Sequence, residues 1–313
     1  MFADYLPRWL GVFALCVFLI GCTSSQSEKF PDTDIVYQSS NFDSPSIGFV
    51  NADGSDNAVL QVDFYATEPI WSEDGKRLYF RQNPGDVGDV QPNYLAKLSS
   101  WREGGAVSTC GGNQPSVRAI LPISNSTEVI SLYGSYQLLS VDLNDCKQKT
   151  IYLDYAPEGH QDISRPSLSS DGKHILYTER DYSGLPPYKY SIVVLDIASG
   201  TKTRVGEGIN AVLSPDNKMI AYTWFDGIYV MAADGSDPRR LVEYDASGHN
   251  DFENAPPAPR WSPDGEWLVY HKCMKGQDNC SFAEDYSIFK VEVATGVEID
   301  IIDDGLFPFW RSR

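Results

Sequence analysis

Short apolar runs separated by turn-forming residues fill the chain from about residue 34 onward. Trp267-Leu268-Val269-Tyr270 is aromatic and β-branched, which favours a strand. It follows Asp264-Gly265, a dipeptide typical of a tight turn, because glycine adopts positive φ without steric cost. Trp261-Ser262 stands before the turn, so residues 260–270 predict one β-hairpin.

The same hairpin pattern recurs along the chain. Its first strand ends at an apolar residue followed by serine, and the copies carry Ser72, Ser169, Ser214 and Ser262, with a weaker copy at Ser124. The chain closes on Phe309-Trp310-Arg311, which is the first half of the unit without its turn. These marks lie 45 to 52 residues apart. A period of roughly 40–50 residues with four strands per unit indicates a β-propeller.

Each unit also has a second half, in which two apolar runs flank an Asp-Gly or Ser-Gly turn, so each blade has strands A to D. Residues 35–62 supply B, C and D without A, and Phe307–Arg311 supply A without the rest. Together they predict a composite blade that removes an open sheet edge. We therefore expect an all-β fold over residues 34–313: a six-bladed β-propeller of four-stranded antiparallel blades, closed by pairing of the N- and C-terminal strands.

Residues 1–21 predict a secretory signal peptide, because the apolar run from Trp9 to Ile20 is too short for a membrane span. Leu19-Ile20-Gly21-Cys22 resembles the lipobox of bacterial lipoproteins. The resemblance implies that Cys22 is diacylated, with palmitate among its acyl chains, and becomes the mature N-terminus. An ordinary signal peptide with a chance cysteine is the alternative. Residues 22–33 are polar and Ser-rich, and predict a flexible tether.

The Trp-Ser-Pro-Asp-Gly hairpin at 261–265 and the Asp-Gly-Ser turn at 234–236 resemble the repeats of TolB-type propellers. The resemblance covers the whole mature domain and implies a protein-binding propeller of the periplasm. Similar repeats occur in prolyl oligopeptidase-type peptidases and oligogalacturonate lyases. Thr23 follows the lipobox cysteine where an aspartate would favour the inner membrane, so in a Gram-negative organism the lipoprotein resemblance implies the periplasmic face of the outer membrane.

These features predict a lipid-anchored, monomeric envelope protein that binds another envelope protein and is not an enzyme. One alternative is a lyase-like carbohydrate-active enzyme that uses the central funnel, and another is a structural scaffold. Acidic residues outnumber basic ones by 43 to 25, for a net charge of −18, which disfavours nucleic acid as a partner and leaves the lipid as the membrane contact. No Gly-x-Ser-x-Gly, His-Glu-x-x-His or P-loop motif is present, so no catalytic residue, metal or cofactor is predicted.

Four cysteines remain after the signal and Cys22, an even number that suits an oxidising compartment. Cys273 and Cys280 are close in sequence within a B–C loop, and predict a disulfide that pins this loop. Cys110 and Cys146 are the other candidates, although their expected positions tend toward opposite faces, so that their pairing is left open.

Two similar segments are the polar candidates for a ligand site. Gly159-His160-Gln161-Asp162 and Gly248-His249-Asn250-Asp251 both precede an A strand, which places them in D–A loops at one mouth of the ring. They could hold a metal or a charged ligand, but we expect each histidine to lie nearer its own loop's aspartate than the other histidine. Tyr182 and Tyr188 lie in a long B–C loop that suggests a contact surface, with plain loop variation as the alternative.

Overall fold

The chain folds into β-strands joined by turns. A computed structural model describes residues 30–39, 46–61, 65–72, 74–83, 94–98, 107–110, 117–123, 126, 128–133, 137–153, 161–181, 189–244, 258–274 and 285–312. Within these ranges there are 24 strands and no α-helix, and the strands form six four-stranded antiparallel sheets. No helix in this part of the chain is long and apolar enough to cross a membrane. The predicted all-β fold of four-stranded antiparallel blades is confirmed.

The blades are numbered in chain order, and each is given from strand A to strand D. Blade 1 contains β24 (Gly305–Trp310), β1 (Ile35–Ser39), β2 (Ser46–Val50) and β3 (Ala58–Gln61). Blade 2 contains β4 (Tyr65–Trp71), β5 (Leu78–Asn83), β6 (Tyr94–Leu98) and β7 (Val107–Cys110). Blade 3 contains β8 (Val117–Pro122), β9 (Glu128–Tyr133), β10 (Gln137–Asp142) and β11 (Gln148–Leu153).

The remaining three blades have the same strand order. Blade 4 contains β12 (Gln161–Leu168), β13 (His174–Asp181), β14 (Lys189–Asp196) and β15 (Lys202–Glu207). Blade 5 contains β16 (Ile209–Leu213), β17 (Met219–Trp224), β18 (Gly227–Ala232) and β19 (Arg239–Glu243). Blade 6 contains β20 (Arg260–Trp261), β21 (Trp267–Cys273), β22 (Tyr286–Glu292) and β23 (Glu298–Asp303).

The apolar core lies between blades. Buried side chains form a cluster at each junction of successive blades, including the junction of blade 6 with blade 1. In that last cluster Val269 and Ile288 of blade 6 pack with Ile35 and Trp310 of blade 1. Each large apolar side chain buried in this way stabilises the fold by about 1.5–3 kcal/mol. Because every blade contacts the next one, the six sheets follow one another in a closed circle.

The serine and aspartate of the repeat hold the A–B turn together. Ser214 Oγ donates to Asp216 Oδ1 at 2.6 Å and accepts the backbone N–H of Met219 at 2.9 Å. The same arrangement recurs in three other blades, at Ser72 with Asp74, Ser169 with Asp171, and Ser262 with Asp264. The serine hydroxyl is the main cause that holds the pKa of Asp171 and Asp216 below its usual value.

The residue after that aspartate has a left-handed conformation in all four turns. Gly265 has φ 75°, and Asn217, which replaces glycine in blade 5, has φ 59°. The prediction of a positive φ at Gly265 is confirmed. Since the serine and aspartate are committed to these turns, they serve the fold, as predicted.

Strand β24 completes blade 1 by pairing with β1. Ile35 lies opposite Trp310 and Val36 opposite Phe309, so the first and last strands are neighbours in one sheet, as the incomplete units at the two ends predict. The inner strands of successive blades are also linked by side chains. Trp310 Nε1 donates to the Arg260 carbonyl at 3.2 Å, and Trp261 Nε1 donates to the Val212 carbonyl at 3.1 Å.

Arg311 joins the end of the chain to two other segments. Its Nη2 and Nε donate to the Gly75 carbonyl of the blade 2 turn at 2.7 and 3.1 Å. Its Nη1 donates to the Pro31 carbonyl at 2.7 Å, and the guanidinium carbon lies 4.4 Å from the centre of the Trp71 ring. Arg311 occupies the place of the turn serine in the repeat, and connects blades 1 and 2 instead of making a turn.

We expect Arg311→Ala to lower the free energy of unfolding by roughly 2–4 kcal/mol, because it removes charge-assisted hydrogen bonds and the stacking on Trp71. Arg240→Ala is the matched control, because Arg240 is an exposed arginine on β19 that pairs with Asp226, and it should cost less than about 1 kcal/mol. Urea unfolding of the two variants measures the difference. Equal midpoints would contradict the role assigned to Arg311.

Candidate binding channel

The innermost strands carry β-bulges near the centre of the ring. In β4, β12, β16 and β24 two residues lie opposite a single residue of the neighbouring strand, and the register shifts there. Glu68, Asn210 and Phe307 are the first bulge residues of β4, β16 and β24, and have φ of 52°, 55° and 49°. Positive φ is uncommon for residues other than glycine, and a bulge changes the direction in which a strand presents its side chains.

A proline follows the first bulge residue in three of these four strands. Pro69, Pro166 and Pro308 each stand two positions before the apolar residue that precedes the turn. Proline cannot donate a ladder hydrogen bond, so within sheets it is confined to edges and bulges. The recurrence of proline at this position is therefore the signal in the sequence that marks these bulges.

The six blades surround one cavity. Its volume is about 650 Å³, including the part open to solvent. Every inner strand, or the segment just before it, contributes to the walls, and β5 contributes one side chain. The lining residues are Glu68, Pro69, Ile70, Arg81, Ala119, Ile120, Pro166, Asn210, Ala258, Arg260, Phe307, Pro308 and Phe309. Most of these residues are apolar or proline. The bulge residues contribute at four blades, so the backbone irregularities shape this channel.

Three of the described residues that line the channel have charged side chains. Arg81 Nη2 lies 2.8 Å from Glu68 Oε1, and the two side chains are only 18% and 29% exposed. The buried Nε of Arg81 has no hydrogen-bond partner in the part of the chain that the structure describes. Arg260 lies with its guanidinium carbon 5.9 Å from the centre of the Phe309 ring. The channel therefore combines apolar walls with two arginines and one glutamate.

A polar residue occupies the same place in strand B of five blades, three positions after the first core residue of that strand: Gln38, Arg81, Thr178, Thr223 and His271. All except Arg81 are buried. Thr178 Oγ1 donates to the Gly208 carbonyl at 3.4 Å. The His271 ring lies 5.0 Å from the ring of Phe307, which faces the channel. Arg81, Thr178 and His271 therefore contact an inner strand or the segment just before one. The five residues were not predicted because a single polar residue inside an apolar strand forms no repeating pattern.

Most of the ligand candidates from the sequence fall outside the described residues. His160, Tyr182, Tyr188, His249 and Asp251 belong to this group, so the expectation that the two histidine loops stay apart remains a prediction.

The position assigned to Asp162 needs a correction. It lies within strand β12, opposite Arg180, and not in a D–A loop, because β12 begins at Gln161. Among the residues that the structure describes, no group of three or more His, Cys, Asp or Glu side chains could hold a metal ion.

The cysteine predictions are answered in part. Cys146 and Cys273 are both disulfide-bonded. Cys273 is the last residue of strand β21 and not part of the loop itself, and Cys110 ends β7. The predicted partner Cys280 and the lipidation candidate Cys22 lie outside the described ranges. The pairings Cys273 with Cys280 and Cys110 with Cys146 therefore remain predictions.

Solved structures with the same architecture identify the fold. TolB from Acinetobacter baumannii superposes with a TM-score of 0.65 at 14% identity, over 89% of this chain and 66% of that one. An oligogalacturonate lyase in complex with manganese superposes with a TM-score of 0.51 at 14% identity, over 88% of this chain and 73% of that one.

No protein-family model and no curated protein matches the sequence. In the structural comparison, the chain spans 66% of the length of the TolB chain. At this identity the likeness shows the fold, a TolB-like β-propeller, and leaves activity and partners to be argued from the channel.

We expect Glu68 and Arg81 to stabilise each other across the channel wall. Exposed ion pairs contribute about 0–1 kcal/mol to the free energy of unfolding, whereas loss of one partner of a fully buried pair costs about 3–5 kcal/mol. A partly buried pair should have an intermediate effect. Glu68→Ala and Arg81→Ala should each cost about 1–3 kcal/mol, and the double variant should cost less than their sum by about 1 kcal/mol. Urea unfolding of the three variants measures this coupling, and strictly additive costs would contradict it.

Proposed function

We propose that this chain is a lipid-anchored propeller of the bacterial cell envelope that binds another protein through its central channel and catalyses no reaction. The observation that carries the proposal is a cavity walled by all six blades, with Phe307, Phe309 and Arg260 among the residues that line it. Aromatic residues and arginine are enriched at the centres of protein interfaces, where a few such side chains supply most of the affinity.

The channel is suited to receive a chain segment because its walls are part of the sheet framework. Glu68, Asn210 and Phe307 have positive φ and lie between paired residues of β4, β16 and β24, so the strand holds each of them from both ends. A wall built in this way does not have to be ordered when a partner binds, which lowers the entropic cost of binding. The TolB-like fold supports a non-enzymatic role but does not decide it, since a lyase shares this fold.

Placement at the membrane rests on the N-terminal sequence. The lipobox-like segment ending at Cys22 and the polar tether up to residue 33 support attachment to the periplasmic face of the outer membrane. Two signals strengthen such an anchor, and diacylation supplies two chains.

We expect Cys22→Ser to abolish fatty-acid labelling of the protein and to leave unprocessed precursor in the cells. Metabolic labelling with a radioactive fatty acid, followed by gel analysis, measures both effects. Ser24→Ala is the matched control within the tether and should retain the label. Label that persists in Cys22→Ser would contradict lipid attachment at this residue.

The binding function is tested by capture of partners from detergent-solubilised envelopes with the tagged, full-length protein. Ala258→Phe places a ring into the channel, whereas Ala294→Phe places one on an exposed turn of the same blade. We expect one protein to be recovered in near-equal molar amount with the parent and with Ala294→Phe, and at least about tenfold less with Ala258→Phe, since every tenfold loss corresponds to about 1.4 kcal/mol.

Unfolding midpoints of both variants show whether the added ring disturbs the fold. A partner recovered equally with Ala258→Phe would place the binding site elsewhere on the propeller. Recovery of no protein at all from the envelopes would contradict the binding function.

A further inference from the structure

The channel differs in charge from the rest of the protein. Acidic residues outnumber basic ones by 43 to 25 along the chain, yet among the residues that the structure describes the charged side chains lining the channel are two arginines and one glutamate. Arginine is therefore in excess over glutamate among the described lining residues, which favours anions in this local region.

Arg81 has donors that the described part of the chain does not satisfy. A guanidinium has five N–H groups in a planar fork. One nitrogen, Nη2, is paired with Glu68 at 2.8 Å, and the buried Nε has no partner among the described residues. The pairing with Glu68 shows that this guanidinium binds a carboxylate. A carboxylate of the ligand would make the same kind of interaction.

Arg260 presents the second guanidinium to the same space. It lies on β20, against the ring of Phe309, at the point where blade 6 meets blade 1. The surrounding wall contains Ile70, Pro308 and Phe309, and apolar surroundings of this kind strengthen interactions between charges by lowering the local dielectric constant. Arginine also matches the geometry of a carboxylate, because its fork can make two parallel hydrogen bonds.

We propose that the channel is a carboxylate-binding site in which Arg81 and Arg260 receive an anionic group of the bound segment. This inference rests on the proposed binding function and specifies its chemistry. The carboxylate belongs to an acidic side chain or to the C-terminus of the partner, and both sources make the same contacts. Glu68 competes with the ligand for Arg81, so it lowers the affinity that the site can reach.

The net charge of −18 also affects how an anion reaches this site. The surface charge opposes approach of an anion at long range, but it is screened beyond about 8–10 Å at physiological salt. Affinity should therefore come from the short-range pairing inside the channel. An anion without apolar contacts would bind weakly, and a peptide that also covers Phe307 or Phe309 would bind better.

The test uses the purified full-length protein and three short peptides: acetyl-Ala-Ala-Ala with a free C-terminus, its C-terminal amide, and the amide of acetyl-Ala-Glu-Ala. Binding is titrated by NMR at low salt. We expect both carboxylate-bearing peptides, or one of them, to bind, and the neutral amide not to bind measurably. The arm that binds identifies the source of the carboxylate. Equal binding of the neutral amide would overturn the proposal.

Variants separate pairing in the channel from general charge effects. Arg260→Gln and Arg81→Gln should each weaken binding at least about tenfold, whereas Arg240→Gln, on the outer strand β19, should leave it unchanged. Glu68→Gln should strengthen binding several-fold because it removes the competing carboxylate, an effect that a purely structural role would not produce. Equal affinity in the parent and in Arg260→Gln would overturn the proposal.

The outcomes also distinguish this inference from the proposed function. Capture of a protein partner that is unaffected by Arg260→Gln and Arg81→Gln would refute the carboxylate site and leave the binding function standing. Carboxylate peptides bound by a protein that captures no envelope partner would refute the binding function and leave the site standing.

Discussion

The pairing of β24 with β1 is the constraint on which the ring depends. Without it β1 would pair with β2 alone and would leave an open edge on the inner side of blade 1, and the junctions of blade 1 with blades 2 and 6 would lose the residues that the last strand contributes. Arg311 reinforces this junction from outside the sheet, through the Gly75 and Pro31 carbonyls. Because the apolar core consists of six junctions and not of one centre, the loss of one strand exposes two neighbouring clusters.

The channel is made by irregular backbone within an otherwise regular set of sheets. A non-glycine residue at positive φ costs of order 1–3 kcal/mol when it is strained, and the residues around it must compensate. Here the compensation comes from the neighbouring strand B of the same blade, and from buried partners such as Thr178 and His271 on strands B. The same irregularity directs Glu68, Asn210 and Phe307 into one space. Strain at these positions and the shape of the channel therefore have a common origin.

The repeat and its turns were predictable from the sequence because their signals are local. Asp-Gly dipeptides and the apolar runs after them define the A–B hairpins, and the incomplete units at the two ends predicted the composite blade. The residues that line the channel were not predicted, since identifying them requires the register of several strands at once. Arg81 and Arg260 belong to blades 2 and 6 and are 179 positions apart in the chain, and only the ring brings them to one cavity. Asp162 was misplaced for a related reason: β12 extends further toward its N-terminus than the turn signals indicate.

The composite blade also determines when the molecule can finish folding. The ribosome synthesises β24 only about 270 residues after β1, because β1 begins at Ile35 and β24 begins at Gly305. Until then blades 2 to 6 can assemble in order, while β1 keeps a free edge and uncovered apolar side chains. Such long-range pairings form slowly, and exposed edges attract other chains in the meantime. The last few residues therefore act as a closing step, and the nascent protein stays vulnerable to aggregation until they emerge.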